Sequence, residues 1–439
     1  LIKYILMQLF LTFVAYTLFV AGYSWYKLKK EKLTSKEGYF LGGRSLTGVV
    51  IAGSMLLTNI STEHLIGMNG SSYKNGFIII AWEVTSAIAL ILTAVYFVPK
   101  YLKMGLTTIP QFLETRFDGF TRSLVAFFLM ISFVVTLLPI VLYTGAINLE
   151  SIFNISNLLQ VSKSQAMIYT ICAIGLIGSL YAIFGGLKAV AVSDTLNGYG
   201  LLIGGLAIPF LALASIGDGN VIDGLIKVYQ NSPEKFNVIG AKDSVMPFEV
   251  LFTGLIINQI YFWCMNQMIV QRALGAKNLK EAQKGLLFTG LLKLLVPLII
   301  ILPGVIGFYY YGDFFYDNQD MIYPELIKKV LPVSFIGVFA AIVMGAVLST
   351  FNSVLNSAAT IFSIDIFKRH INPKINDANL VKTGKITSAF LAIFAISVSP
   401  MVGNAPDGLY QLLQQLNGIF FIPIASIILA GFFIPSISA

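Results

Sequence analysis

The run Thr58-Asn59-Ile60-Ser61-Thr62-Glu63-His64 sets a carboxylate beside an imidazole, among three hydroxyls and an amide, in a stretch whose flanks are apolar. Val49 to Leu57 precede it and Leu65 to Met68 follow, so neither end reads as a loop. Each unsatisfied polar group in hydrocarbon costs several kcal/mol, and ionisable residues at that depth mark binding or transport sites. Two more charges interrupt apolar runs in the same way. Glu83, in Ala81-Trp82-Glu83-Val84-Thr85-Ser86, is read either as a helix-interface carboxylate or as an acceptor for ligand hydroxyls, with Trp82 and Ser86 supplying a stacking face and another hydroxyl. Lys293, in Leu291-Leu292-Lys293-Leu294-Leu295-Val296, either snorkels to a membrane edge or pairs with Glu83 or a ligand oxygen.

Ser349, Asn352, Ser353, Asn356, Ser357 and Thr360 recur at helical steps and form one polar stripe on an otherwise apolar helix. Such a stripe can glue membrane helices together. It also offers oxygens to a hard cation: a helix opened at 59–62 frees carbonyls that could meet the hydroxyls of Ser349 and Thr350. Neutral oxygens suit a modestly bound alkali cation, whereas Ca²⁺ demands several carboxylates. Asp194, in Val192-Ser193-Asp194-Thr195-Leu196, either caps a helix or attracts a cation.

The elements that must hold these residues are membrane helices. Of 439 residues, 56% are hydrophobic and 11% charged, against about 25% charged in ordinary globular chains. Mean hydropathy is +0.81, and no segment has the composition of a soluble second domain, so 1–439 reads as a single transmembrane domain. The net charge of +8 reports topology rather than nucleic acid. Lys27–Arg44, Lys100–Arg122, Lys188, Arg272–Lys284 and Lys368–Lys385 fall in alternate loops, the positive-inside pattern. That side is expected to be cytoplasmic, with the N-terminus outside, in a multi-pass protein of the cell membrane.

Apolar runs predict about eleven helices, near 4–26, 46–70, 77–103, 121–150, 165–184, 188–215, 247–271, 284–311, 335–367, 379–402 and 407–435. No arginine falls within the predicted helix cores. After a peripheral first helix, 46–215 and 247–435 form two sets of five. An odd number per set inserts the second set upside down relative to the first, and inverted repeats place the solute where their interrupted first helices meet. The second set should then also open with an interrupted helix. Asn258-Gln259 and Asn266-Gln267 bracket Ile260 to Met265 there. The segments near 216–246 and 312–334 read as external caps or gates.

Cys172 and Cys264 lie in apolar spans and read as packed small hydrophobes. The first span is too long for a signal-peptide core. There is no Walker loop and no metal-spaced His/Cys cluster, and the only two histidines are His64 and His370. An enzyme is not expected.

These residues together resemble the sodium:solute symporter family, on its sodium/glucose (galactose) cotransporter branch. The resemblance runs from about Gly38 onward and rests on several motifs in order. The first are Tyr39-Phe40-Leu41-Gly42-Gly43-Arg44-Ser45, Asn59-Ile60-Ser61 through Gly67-Met68, and Tyr181 to Asp194 with Gly185-Gly186-Leu187. Asn266-Gln267 through Arg272 to Lys293, Leu355-Asn356-Ser357 through Asp365-Ile366, and Tyr410-Gln411 to Gln414 follow.

The resemblance implies an all-α membrane protein with a LeuT-like inverted five-helix repeat and an extra N-terminal helix. It assigns sugar contacts to Asn59, His64, Met68, Trp82, Glu83, Ser86, Gln259, Phe262, Trp263, Lys293, Tyr410 and Gln414. It assigns Na⁺ to carbonyls of Leu57, Ile60 and Ala346 with the hydroxyls of Ser349 and Thr350. A second Na⁺ site, on Asp194, Asn352 and Ser353, matches only in part. His64 stands where the bacterial galactose symporter of this branch has Gln, and resembles the animal glucose transporters there. Gln259 is one methylene longer than the expected Asn, and Phe262 replaces a sugar-stacking Tyr. Members of the family usually carry more helices than this chain reaches by Ala439, so further helices are expected.

The function these features imply is a secondary active symporter coupling Na⁺ influx to uptake of a neutral hexose by alternating access, its partners being a small sugar and membrane lipid. A Na⁺-coupled carrier of myo-inositol or another polyol is the alternative, and a passive sugar or water channel or a transporter-like sensor the rival. Glu63 is expected to find a structural partner on another helix.

Overall fold

Nine helices are long and apolar enough to cross a membrane among residues 2–29, 34–404 and 409–438, which the computed structural model describes. The 54-residue run Lys163–Ile216 spans about 80 Å at 1.5 Å per residue, far more than a ~30 Å hydrocarbon core. It bends at Gly186 and crosses twice. The 12-residue helix Gly48–Asn59 continues across a break into 63–75, and Gly76 turns the chain before the next crossing.

The crossings are therefore eleven: α1 (Ile2–Leu28), α2 (48–75), α3 (76–103), α4 (Gly119–Phe153), α5 (163–185), α6 (187–216), α7 (Phe248–Leu274), α8 (Leu279–Tyr311), α9 (Val333–Ile371), α10 (Asp377–Gly403) and α11 (Leu409–Phe433). No strand occurs among the described residues.

Both expected interruptions are present. In α2 the helix stops after Asn59, Ile60 takes φ −84° and ψ 83°, and a wide-turned segment, Glu63–Met68, follows. In α7 the wide turn Tyr261–Met265 ends at an extended Asn266 (φ −69°, ψ 121°), whose side chain accepts from the Met268 N–H at 3.0 Å and caps Gln267–Leu274. The carbonyls released before this break find donors on α3. Thr93 donates to the Trp263 carbonyl at 3.2 Å, and Tyr101 to that of Cys264 at 2.9 Å. Non-helical backbone at membrane depth is thus paid for with specific side chains.

Gln267–Leu274 packs against Gly48–Asn59 and α9, while α9 also packs on α1 and α6. The helices approach closely through small residues: a Cβ on Gly198 of α6 would lie 2.7 Å from the Gly53 carbonyl oxygen of α2. Large apolar side chains such as Phe120, Ile203 and Phe390 point outward, as lipid contact requires. Above the bundle, Val221–Asn231 and Ile322–Val330 are the short helices of the two long connections.

Gly186 has φ 59° and ψ −168°, backbone that only glycine adopts readily. A Cβ there would lie 2.7 Å from the Tyr39 carbonyl oxygen. Gly186→Ala is expected to cost about 1–3 kcal/mol, read as a fall of several degrees in the detergent melting temperature of the purified protein. An unchanged melting temperature would refute this account of the bend.

Candidate functional site

Lys293 is in the last turn of Leu279–Lys293, just before Pro297 opens the second part of α8, a helix end whose dipole suits its charge, and Glu83 faces it from within α3. Their side chains form an ion pair with relative exposures of 2% and 1%. Lys293 Nζ also donates to Asn59 Oδ1 at 2.5 Å and lies 5.5 Å from the centre of the Trp263 ring. One cluster thus joins α2, α3, α7 and α8, and the snorkelling alternative for Lys293 does not hold.

Gln259 braces this cluster. Its amide donates to the Trp82 carbonyl at 2.7 Å, and its oxygen accepts from Trp263 Nε1 at 3.0 Å. Ser86 donates to the Glu83 carbonyl at 2.5 Å. All of these side chains line one cavity of about 50 Å³, room for a few waters at ~10–15 Å³ each. A ring-sized solute therefore needs this cavity to widen.

Of the twelve residues put forward for the solute, Asn59, His64, Trp82, Glu83, Ser86, Gln259, Phe262, Trp263, Lys293 and Gln414 line this cavity. Met68 does not: it is fully buried in an apolar cluster with Leu57, Ile60 and Leu65. It ends the wide-turned segment, whose changed phase carries it into the core. The Tyr410 side chain lies outside the described residues.

The cavity also recruits Thr58, Glu63, Asn258 and Asn417, which the sequence reading did not assign to the solute. Asn417 follows Gln414 by three residues and shares its helix face, a signal that could have been read. Asn258 Oδ1, Asn417 Oδ1 and Glu63 Oε2 are buried without a hydrogen-bond partner among the described residues. Among the described residues Glu63 forms no ion pair with another helix. Its Oε1 instead lies 3.7 Å from Nδ1 of the adjacent His64.

Where α2 breaks against α9, the hydroxyls of Ser349 and Thr350 meet Thr58 of α2. The Ser61 N–H, the regular donor to the Leu57 carbonyl, bonds the Asn59 carbonyl instead at 3.1 Å. The His64 N–H, the regular donor to Ile60, turns to the Ser61 carbonyl at 3.1 Å. Thr350 donates to the Thr58 carbonyl at 3.0 Å, and Ser349 Oγ lies 3.3 Å from Thr58 Oγ1. Leu57, Ile60, Ala346, Ser349 and Thr350 are all buried. Carbonyls that have lost their helical donors, close to hydroxyl-bearing residues, are oxygens of the kind a weakly held alkali cation takes.

The residues offered for a second cation behave differently. The sequence places Arg272 in the basic loop after α7 and leaves the helix cores free of arginine; the structure buries it completely. The break at Asn266 sends Gln267–Leu274 through the protein interior, so Arg272 ends inside. Its guanidinium pairs with Asp194 at 3.3 Å and donates to Ser54 at 2.6 Å, to the Met268 carbonyl at 2.5 Å and to Ser353. Asp194 thus neither caps α6 nor faces a cation with free charge: it is half of a buried ion pair. Of the three, Asn352 alone keeps an oxygen without a partner among the described residues.

The model of the Sodium:solute symporter family matches residues 39–439. Over 429 residues the chain is 47% identical to an uncharacterized symporter of Escherichia coli (strain K12), covering 98% of this chain and 75% of that one. It is 34% identical to the sodium/glucose cotransporter of Vibrio parahaemolyticus, covering 96% and 80%. It is 29% identical to the sodium/myo-inositol cotransporter of Bos taurus, covering 95% of this chain and 62% of that one. Among solved structures, a Na⁺-coupled sialic acid symporter superposes with a TM-score of 0.81 at 22% identity, covering 98% of this chain and 86% of that one.

Proposed function

The chain belongs to the sodium:solute symporter family and is a Na⁺-coupled, membrane-embedded solute transporter, and from that premise we propose that its solute is a neutral hexose, with myo-inositol as the alternative. The observation that carries this reading is the chemistry of the cavity at the α2 break. Its one lysine is engaged by Glu83 and Asn59, while Asn258 and Asn417 present acceptor oxygens without partners among the described residues. Unpaired acceptors need donors, and sugar hydroxyls supply them. A ligand carboxylate brings acceptors only, and Arg272 is committed to Asp194 outside this cavity. The shared fold does not decide the matter, since the sialic acid symporter has it too.

In this reading the cation binds the Leu57, Ile60 and Ala346 carbonyls with Ser349 and Thr350, and holds the α2 break in shape. Asn59 and His64, on the same break, face the solute. The sets 46–215 and 247–435 are the two inverted repeats, each opening on one of the broken helices, α2 and α7. The basic loops face the cytoplasm and the N-terminus lies opposite. One Na⁺ entering down a membrane potential releases about 2.3 kcal/mol per 100 mV, enough for roughly 50-fold accumulation.

The test is uptake of labelled galactose, glucose, myo-inositol and sialic acid into proteoliposomes, with and without a Na⁺ gradient. Gradient-dependent accumulation of a hexose is the expected result. Accumulation of myo-inositol alone selects the alternative, sialic acid uptake overturns the neutral-solute reading, and uptake indifferent to Na⁺ would mean a passive channel.

A further inference from the structure

We propose that Glu63 is a charge-selecting contact of the solute cavity, accepting a ligand hydroxyl and barring anionic ligands; the inference rests on the neutral-polyol reading. The carboxylate is 97% buried, its residue being 3% exposed, and it lines the same cavity as Glu83 and Lys293. Among the described residues its Oε2 has no hydrogen-bond partner and no lysine or arginine forms an ion pair with it. Lys293 is already engaged by Glu83 and Asn59. Among the described residues, the charged and titratable groups lining the cavity are therefore two carboxylates, one ammonium and the His64 ring.

Setting the imidazole aside, the two carboxylates of that set outnumber its single ammonium. A buried carboxylate with a free oxygen is under-satisfied, and a hydroxyl donor from the solute relieves it. A solute carboxylate in so small a space would stand within several ångströms of Glu63. Like charges that close repel by more than 1 kcal/mol even at an effective dielectric near 20. Glu63 thus enforces at the level of charge what the unpaired amide oxygens of Asn258 and Asn417 only favour.

The wide turn Glu63–Met68 helps to set this position. It places Glu63 immediately after the break whose carbonyls at Leu57 and Ile60 lack their regular donors. The same few residues then hold the cation on one side and read the solute's charge on the other.

The test uses the full chain in proteoliposomes and measures the KM for glucose and the inhibition constant of glucuronate, which differs from glucose by a C6 carboxylate. In the unsubstituted protein glucuronate should bind at least about tenfold more weakly than glucose. Glu63→Gln should raise the glucose KM several-fold and narrow that gap to within about threefold, with the Na⁺ half-saturation unchanged. A gap that stays the same in Glu63→Gln, or no gap in the unsubstituted protein, overturns the proposal.

Where the Gln variant does not reach the membrane, Glu63→Asp reads the same point. Keeping the charge but shortening the reach, it should raise the glucose KM while preserving the gap. An unchanged KM or a lost gap would overturn the proposal. Failure of the hexose reading itself is a separate result: absence of Na⁺-dependent glucose or galactose uptake by the unsubstituted protein.

Discussion

Glu83→Gln is expected to abolish Na⁺-driven uptake and to destabilise the fold, because it leaves the Lys293 ammonium buried without its counter-charge. Removing one partner of a buried ion pair costs about 3–5 kcal/mol, a factor of hundreds to thousands in an equilibrium. Asn59 still accepts from Lys293, but a neutral amide does not balance a charge at 1% exposure. A loss of uptake alone would not distinguish a solute contact from a structural brace. Glu83→Gln combined with Lys293→Met makes that distinction.

Replacing both members of a buried pair by uncharged side chains of similar size is often neutral or stabilising, so the double variant should regain the melting temperature lost by the single one. Uptake should not return with it, since the donors and acceptors facing the solute would still be missing. Recovery of uptake in the double variant would show that the pair only braces α3 against α8. A stable Glu83→Gln protein with normal uptake would remove the pair from the mechanism altogether.

How far this site could be read in the sequence depends on the signal each residue leaves. Glu83, Lys293 and Thr58–His64 interrupt apolar runs, and hydropathy makes such interruptions visible without any structure. The same rule correctly expects α7 to be broken, because Asn266-Gln267 stands in the middle of an apolar span. Arg272 was misread because it directly follows such a span and precedes Lys277, Lys280 and Lys284. A basic residue that opens a solvated loop and one that turns inward to meet an acid 78 positions away look alike in one dimension.

The partners of Gln267 and Gln271 were likewise silent in the sequence. Gln267 accepts from the Ile109 N–H at 2.8 Å, and Gln271 donates to the Phe40 carbonyl at 2.7 Å, tying connecting segments to the broken helix. These are long-range pairings that only the folded chain defines. Met68 shows the reverse case. Its place in the motif could be read off, but the wide turn before it altered the face it presents.

The second large effect concerns the cation. Ser349→Ala with Thr350→Ala removes two of the five oxygens proposed for Na⁺ and the 3.0 Å hydrogen bond that Thr350 gives the Thr58 carbonyl. Each hydrogen-bond-like contact to a charge is worth about 1.5–3 kcal/mol, so the Na⁺ half-saturation should rise by roughly a hundredfold or more. Thr350→Ser keeps the hydroxyl and should stay within about threefold of the unsubstituted protein. That control separates loss of a ligand from a change in packing, and the melting temperature checks the fold of each variant.

The thermodynamics then demand a second change, in solute affinity; Thr350 also borders the solute cavity, so the Na⁺ dependence of that change is what reports the coupling. If Na⁺ raises solute affinity by some factor, the solute must raise Na⁺ affinity by the same factor. The proposed physical link is the α2 break, whose carbonyls at Leu57 and Ile60 face the cation and whose side chains at Asn59 and His64 face the solute. In the double variant, at Na⁺ levels that saturate the unsubstituted protein, solute affinity should fall toward its Na⁺-free value. Raising Na⁺ a further hundredfold, as far as ionic strength allows, should begin to restore it. A Na⁺ half-saturation that shifts while solute affinity stays constant would place the ion on Ser349 and Thr350 but break the link through α2. If neither quantity changes, the α2–α9 junction does not hold the coupling ion.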